Sequence, residues 1–242
     1  IKHAIVRESL GHLGIEDGVE ITSIADIPSK GTGLGSSSAF TVGLIQCLSA
    51  FQGKFISAEN LGETAFHVEH DLCGKTLGRQ DQYASALGGI NFLKFNPDGS
   101  VGISPVIMSV DEIKHLNRHL IMFYTGKNRV AEEILERQNL DLRDDPRKIA
   151  GMKKMVALAY ELNHELQNSN IDSLGHYLHE NWILKKAQNE LVSGPEIDAW
   201  YQKAISAGAT GGKLLGAGNG GFLLFYAPPE VQQSIKTALS DL

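Results

Sequence analysis

Glu69 and Asp81 stand twelve residues apart, with Gly74 and Gly78 between them. A glycine turn of this kind can fold two carboxylates onto one site. Phosphoryl transfer from a nucleotide needs a divalent cation held by oxygen ligands, and a group that orients or deprotonates the attacking hydroxyl. Two carboxylates can divide those tasks. Upstream runs Pro28-Ser29-Lys30-Gly31-Thr32-Gly33-Leu34-Gly35-Ser36-Ser37-Ser38-Ala39, ahead of a long apolar segment. Glycines let backbone N–H groups approach an anion, the start of a helix adds the positive end of its dipole, and serines add hydroxyls. The chemistry suggested is a phosphate cradle. No Lys-Ser/Thr follows at Walker spacing, so the common ATPase loop is excluded.

A second glycine stretch, Gly208 to Gly221, ends in Gly216-Ala217-Gly218-Asn219-Gly220-Gly221. It matches G-x-G-x-x-G, but the strand Phe222 to Tyr226 follows the glycines where a dinucleotide fold would place a helix. The stretch reads as a turn able to lie close against another group. His67 and His70 are spaced i, i+3, yet no third residue completes a zinc pattern.

These groups need elements to position them. Ile1 to Leu13 has helical apolar spacing and ends near Gly14. Val19 to Ile27 alternates as a strand, and Ser36 to Phe51 reads as a buried helix. Ser57 caps a helix reaching about Cys73, and a short helix carries Asp81 to Leu87. Strands are expected at Gly89 to Phe95 and Val101 to Met108, joined by Asn96-Pro97-Asp98-Gly99, and at Arg118 to Tyr124. Helices follow at Arg129 to Leu140, Asp145 to Gln167, Ile171 to Leu191 and Pro195 to Ser206, with a last one from Pro229. A strand-rich first half and helix-rich second half indicate an α+β fold.

Composition narrows the partners. The 242 residues carry 22 Lys plus Arg against 28 Asp plus Glu, a net charge of −6. With no basic tract, a nucleic-acid partner is not expected. No apolar run reaches the length of a bilayer span, so neither is a membrane. Cys47 and Cys73 read as reduced, mostly buried thiols of a cytoplasmic protein. Glycine numbers 26, and 14 of these fall in the two loops and at Gly74, Gly78, Gly88 and Gly89.

The two loops and the carboxylate pair resemble the GHMP kinases, named for galactokinase, homoserine kinase, mevalonate kinase and phosphomevalonate kinase. Pro28 to Ala39 resembles the family's Pro-x-x-x-Gly-Leu-Gly-Ser-Ser-x-Ala motif with one extra serine. Gly216 to Gly221 resembles its glycine turn, with Asn219 in place of a glycine. Glu69-His70 with Asp81-Gln82 resembles the carboxylates of the galactokinase-like branch. Gly78 to Tyr83, Phe123 to Gly126, Glu180-Asn181-Trp182 with Lys185-Lys186, and Gly211 to Leu215 resemble bacterial kinases acting on D-glycero-D-manno-heptose 7-phosphate.

The resemblance implies a two-lobed GHMP kinase fold. Its N-terminal lobe, 1–117, resembles ribosomal protein S5 domain 2. Its C-terminal lobe, 118–242, is ferredoxin-like and helix-rich. The cofactors implied are ATP and Mg2+. Gly31, Gly33, Leu34, Gly35, Ser36, Ser37 and Ser38 would hold the ATP phosphates, with Gly216, Gly218 and Gly220 supporting the site. Ser37, or a neighbouring serine, would ligate the metal with Glu69, and Asp81 would act on the acceptor. Arg79, Arg129 and Lys213 would grip a sugar phosphate, as a monomer or homodimer. Other sugar kinases of the family, such as an L-fucokinase or a galactokinase-like enzyme, share much of this pattern, and a non-catalytic nucleotide-binding protein could use the same scaffold. Nothing before Pro28 resembles the family's first motif, so the N-terminal lobe is expected to be incomplete in this chain.

Overall fold

The computed structural model describes residues 1–26, 32–127 and 145–242. Pro28, Gly31 and Arg129, and the helix expected from Arg129 to Leu140, lie outside the described residues. The chain divides into two compact units, one within 1–30 and 35–105, the other within 31–34 and 106–242.

The first unit is a helical cluster with a hairpin. Helix α1 (Ala4–Leu13) ends on Gly14 at φ 67°, a left-handed cap that glycine adopts without Cβ strain. Helix α2 (Ser36–Phe51) buries Val42, Leu44, Ile45 and Leu48 against α1 and α3 (Ala58–His67), where Leu61 and Ala65 meet them. The Ser57 side chain caps α3 by accepting from the Asn60 N–H at 3.3 Å. Beyond His67 the chain widens into a π-turn, Val68–Leu72, before α4 (Gln80–Leu87). Helix α4 packs closely on α3, because Gly62 presents no side chain to Tyr83: a Cβ there would lie 3.3 Å from the Tyr83 Cα. Strands β1 (Asn91–Phe95) and β2 (Val101–Pro105) pair antiparallel about the expected turn.

The second unit has a three-stranded antiparallel sheet in the order β3 (Leu120–Tyr124), β5 (Phe222–Tyr226), β4 (Gly211–Leu214). The central strand β5 buries Leu223 and Phe225 completely. Helices α5 (Val110–His119), α6 (Pro146–Gln167), α7 (Leu174–Gln188), α8 (Pro195–Ser206) and α9 (Pro229–Ala238) complete the unit. Trp182 of α7, Ile197 of α8 and Ile235 of α9 join the β5 side chains in its core. Strand β4 lies directly on α7: a Cβ at Gly211 would strike the Gly175 carbonyl, and one at Gly175 would lie 2.5 Å from Thr210 Oγ1.

Several expectations are corrected. Residues 19–26 form no strand, and Ile24 is 90% exposed. Alternation makes a strand only where a neighbour completes its hydrogen-bond ladder, and no described strand does so here. Residues 211–214 are strand rather than loop; the approach of α7 explains Gly211, and that of β5 explains Gly212, where a Cβ would lie 2.5 Å from the Leu224 carbonyl oxygen. Arg118 and His119 belong to α5, whose Ser109 and Glu112 form a capping box, with Ser109 N–H donating to Glu112 Oε2 at 2.6 Å and Glu112 N–H to Ser109 Oγ at 3.2 Å. The two cysteines are free as expected, but Cys47 is exposed on α2 and Cys73 is half-buried. Among the described residues no helix is long and apolar enough to cross a membrane.

Candidate active site

Gly35 caps the N-terminus of α2 in the left-handed conformation, φ 67°, and contributes no side chain to its first turn. Gly33 is left-handed too, at φ 75°. The backbone therefore bends sharply into a long helix whose first N–H groups and dipole favour an anion. Ser36, Ser37 and Ser38 open that helix, and Thr41 Oγ1 donates to the Ser37 carbonyl at 2.9 Å.

Ser37 Oγ donates to Glu69 Oε1 through a short hydrogen bond. Glu69 reaches it from the π-turn, a widened geometry recurrent at functional sites, and is fully buried. Its second oxygen, Oε2, accepts from Gln82 Nε2 at 2.7 Å. Gln82 is itself fully buried, and its Oε1 has no hydrogen-bond partner among the described residues. Lys75 completes the group: its ammonium donates to Ser37 Oγ at 2.8 Å and to Glu69 Oε1 at 3.1 Å. Asp81, one residue before Gln82, turns toward the start of α2, so that a Cβ at Gly35 would lie 3.3 Å from Asp81 Cβ, Cγ and Oδ2. The first turn of α4 thus sends Gln82 to Glu69 and Asp81 to Gly35.

The residues expected at the cradle are thereby brought together within the first unit: Gly35, Ser37, Glu69 and Asp81. Lys75 and Gln82 are the members that sequence reasoning did not assign a role. The donor set fits a hard divalent ion, since a hydroxyl and a buried carboxylate oxygen converge on one point and already share a cation there.

Arg79 is engaged elsewhere. Its guanidinium donates to the Gly99 carbonyl at 2.9 Å and to Glu63 at 3.4 Å, and lies 4.7 Å from the Phe66 ring centroid. These contacts tie the β1–β2 turn to α3 and give Arg79 a structural role.

In the second unit, Leu215 N–H donates to the Phe222 carbonyl at 2.9 Å, closing the glycine turn between β4 and β5. Asn219 adopts φ 57°, the left-handed conformation asparagine tolerates best after glycine, and its N–H donates to the Val192 carbonyl at 2.7 Å. The replacement of a family glycine therefore leaves the backbone path available. A Cβ at Gly218 would lie 2.6 Å from Val192 Cα, and one at Gly220 2.6 Å from the Lys127 carbonyl oxygen. Close backbone packing accounts for both glycines. Motif residues brace the turn at each end: Lys185 donates to the Gly216 carbonyl, and Thr125 Oγ1 to the Gly221 carbonyl at 2.9 Å. Lys213 projects from β4 to Asn181 Oδ1 at 3.0 Å, and burial pulls its ammonium below the usual lysine range.

In the first unit the start of α2, the Ser37–Glu69 pair with the Lys75 ammonium, and the Asp81 carboxylate thus lie together. Residues 1–89 match the family model for the GHMP kinases N terminal domain, and residues 162–242 match that for GHMP kinases C terminal; the chain belongs to the GHMP kinases. It is 30% identical over 215 residues to the D-glycero-alpha-D-manno-heptose 7-phosphate kinase of Campylobacter jejuni, covering 89% of this chain and 63% of that protein. It is 29% identical over 242 residues to the mevalonate kinase of Thermococcus onnurineus, covering 98% of this chain and 67% of that one. The crystal structure of a D-glycero-D-manno-heptose 1-phosphate kinase from Bacteriodes thetaiotaomicron shares its fold, with a TM-score of 0.70 at 22% identity over 99% of this chain and 68% of that one. The chain thus spans a little under two thirds of the length of the Campylobacter relative.

Proposed function

We propose that this chain carries the phosphoryl-transfer site of an ATP-dependent sugar kinase, whose acceptor is the anomeric hydroxyl of a heptose 7-phosphate and whose product is the 1,7-bisphosphate. The observation that carries the reading is the convergence of Ser37, Glu69 and Asp81 at the N-terminus of α2. Gly31, Gly33, Leu34, Gly35 and Ser36 to Ser38 hold the ATP phosphates through backbone N–H groups and hydroxyls. Ser37 and Glu69 hold Mg2+, and Gln82 fixes the carboxylate's orientation by occupying its other oxygen. When bound, Mg2+ neutralises charge developing on the phosphate oxygens. Asp81 orients the acceptor hydroxyl and takes its proton.

The heptose assignment draws on the Campylobacter relative. It is supported by Lys213, a half-buried cation whose hydrogen-bond partner among the described residues is the neutral Asn181, because a substrate phosphate would supply a counter-charge. Arg129 remains a second candidate for that phosphate. A cytoplasmic setting goes with ATP as donor.

Coupled ATP turnover of the full protein on heptose 7-phosphate, L-fucose, galactose and mevalonate tests the proposal. Heptose 7-phosphate should give the highest kcat/KM. A free sugar as best substrate would transfer the site to a fucokinase or galactokinase-like enzyme. No turnover with any acceptor, at intact nucleotide affinity, would favour a binding protein on this scaffold.

A further inference from the structure

Three side chains of the second unit, none of them given a role above, converge on one another. His115 and His119 lie one turn apart at the end of α5, so both rings project from the same face. The rings stack at 4.1 Å between centroids. Asp172, in the 3-10 turn Ile171–Ser173 just before α7, places Oδ1 2.7 Å from His115 Nε2. One ligand atom from each residue lies within 4.8 Å of the others.

Neighbouring groups fix how His119 and Asp172 are presented. His119 Nδ1 lies 2.8 Å from the His115 carbonyl oxygen, a contact that requires hydrogen on Nδ1, so that in the neutral imidazole the lone pair is on Nε2. Metal-bound histidines are commonly oriented by such a bond from the other ring nitrogen. The buried Tyr226 donates its hydroxyl to Asp172 Oδ1 at 2.5 Å, which fixes the carboxylate, and among the described residues the hydrogen bonds of Asp172 fall on Oδ1. The Tyr226 ring also stacks on His119 at 5.1 Å. Buried Ile171 anchors the turn bearing Asp172. A simple His–Asp hydrogen bond would need neither the second imidazole nor its oriented lone pair.

We propose that His115, His119 and Asp172 form a surface site for a borderline transition-metal ion of the Zn2+ class, clasping the end of α5 to the turn before α7. Two imidazole nitrogens and one carboxylate suit Zn2+, Co2+ or Ni2+, whereas Mg2+ prefers an all-oxygen shell. The His115 and Asp172 side chains are 42% and 70% exposed, so an ion can enter from solvent and water can complete its shell. Tetrahedral coordination at about 2.0–2.1 Å sets ligands roughly 3.4 Å apart, so small side-chain rotations close the site. Binding exchanges the hydrogen bond between His115 Nε2 and Asp172 for two metal–ligand bonds. His115 then carries its hydrogen on Nδ1, and the Tyr226 hydroxyl stays on Oδ1.

The test is Co2+ titration of the full protein in excess Mg2+, which saturates oxygen sites, followed by ligand-field absorption and by paramagnetic shifts of histidine ring protons. One equivalent should bind, shift His115 and His119, and be displaced by Zn2+. His119→Ala and Asp172→Asn should each weaken binding at least tenfold, and Tyr226→Phe about tenfold through loss of carboxylate orientation. His67→Ala should change nothing: in the first unit, His67 and His70 each place Nδ1 2.7 Å from an Asp71 carboxylate oxygen, a cluster that shares no residue with the proposed site. Absence of binding, shifts confined to other histidines, or unchanged affinity in the folded variants would overturn the site. The shifts on unmodified protein keep the test decisive even where a variant fails to fold.

Discussion

The Lys75 ammonium donates to Glu69 at 3.1 Å, and Glu69 is fully buried. A positive charge thus stands where the proposed metal would bind, bonded to both its protein ligands. Lys75→Met would leave a buried carboxylate without its counter-charge. Breaking a fully buried pair costs about 3–5 kcal/mol. Lys75 is 27% exposed, so we expect roughly 1–3 kcal/mol, with a lower melting temperature in metal-free buffer. Mg2+ should restore much of the loss, giving a larger Mg2+-dependent rise in Tm than the unmodified protein shows. Equal rises would mean that ammonium and metal do not share the site.

Asp81 acts on the acceptor in the proposed reaction and not on nucleotide. Asp81→Asn should lower kcat by about 10²-fold or more while nucleotide affinity, read by calorimetry, holds. A loss confined to nucleotide affinity would remove Asp81 from the chemistry.

Gly35 and Gly53 make a matched pair. Both are left-handed, at φ 67° and 70°, but a Cβ at Gly35 meets Asp81 at 3.3 Å whereas one at Gly53 meets nothing within 4 Å. Alanine at either costs about 1–2 kcal/mol of backbone strain. Both variants should lose comparable Tm, yet only Gly35→Ala should lose turnover, because only there is Asp81 displaced.

Lys213 has its ammonium pKa lowered by burial. A lysine with a depressed folded pKa costs stability below that pKa, and the cost fades as pH rises through it. Lys213→Met should therefore leave Tm at pH 7 unchanged or raised. In steady-state kinetics it should raise KM for a phosphorylated acceptor and spare KM for a free sugar.

Glu112 is held at about 2, from 4.5, by hydrogen bonds from Ser169 first and Ser109 second. Its contribution to stability is complete above pH 4.5 and is lost as pH falls toward about 2. Glu112→Gln should be less stable at pH 6 and show a flatter acid limb in denaturant melts taken across that window.

The parts legible in the sequence were the local ones. The bounds of α2 and α4, the Ser57 cap and the glycine turns follow from signals within a few residues of each feature. Ser37, Glu69 and Asp81 carried a chemical signature that spacing could expose. Lys75 carried none, because its meaning lies in Ser37, 38 positions away. Strand β4 reads as a loop, since glycine is depleted in strands, and only the α7 backbone at Gly211 and the β5 backbone and Phe225 ring at Gly212 explain the pair. Helix α5 is not among the expected elements although Ser109-x-x-Glu112 announces its start, and the expected strand Arg118 to Tyr124 takes in its last two residues. The alternation of Val19 to Ile27 promises a strand, but pairing is a property of two segments and not of one.

The absence of side chains where Gly211 meets Gly175 seats β4 and α7 backbone to backbone. Asn181 and Lys185 rise from that helix to grip Lys213 and the Gly216 carbonyl. Helix, strand and the turn hung from them therefore behave as one stiff plate, with no compressible layer inside it. Whatever adjustment a ligand demands of this unit must be absorbed outside the plate, so the placement of Lys213 is preset before any ligand arrives.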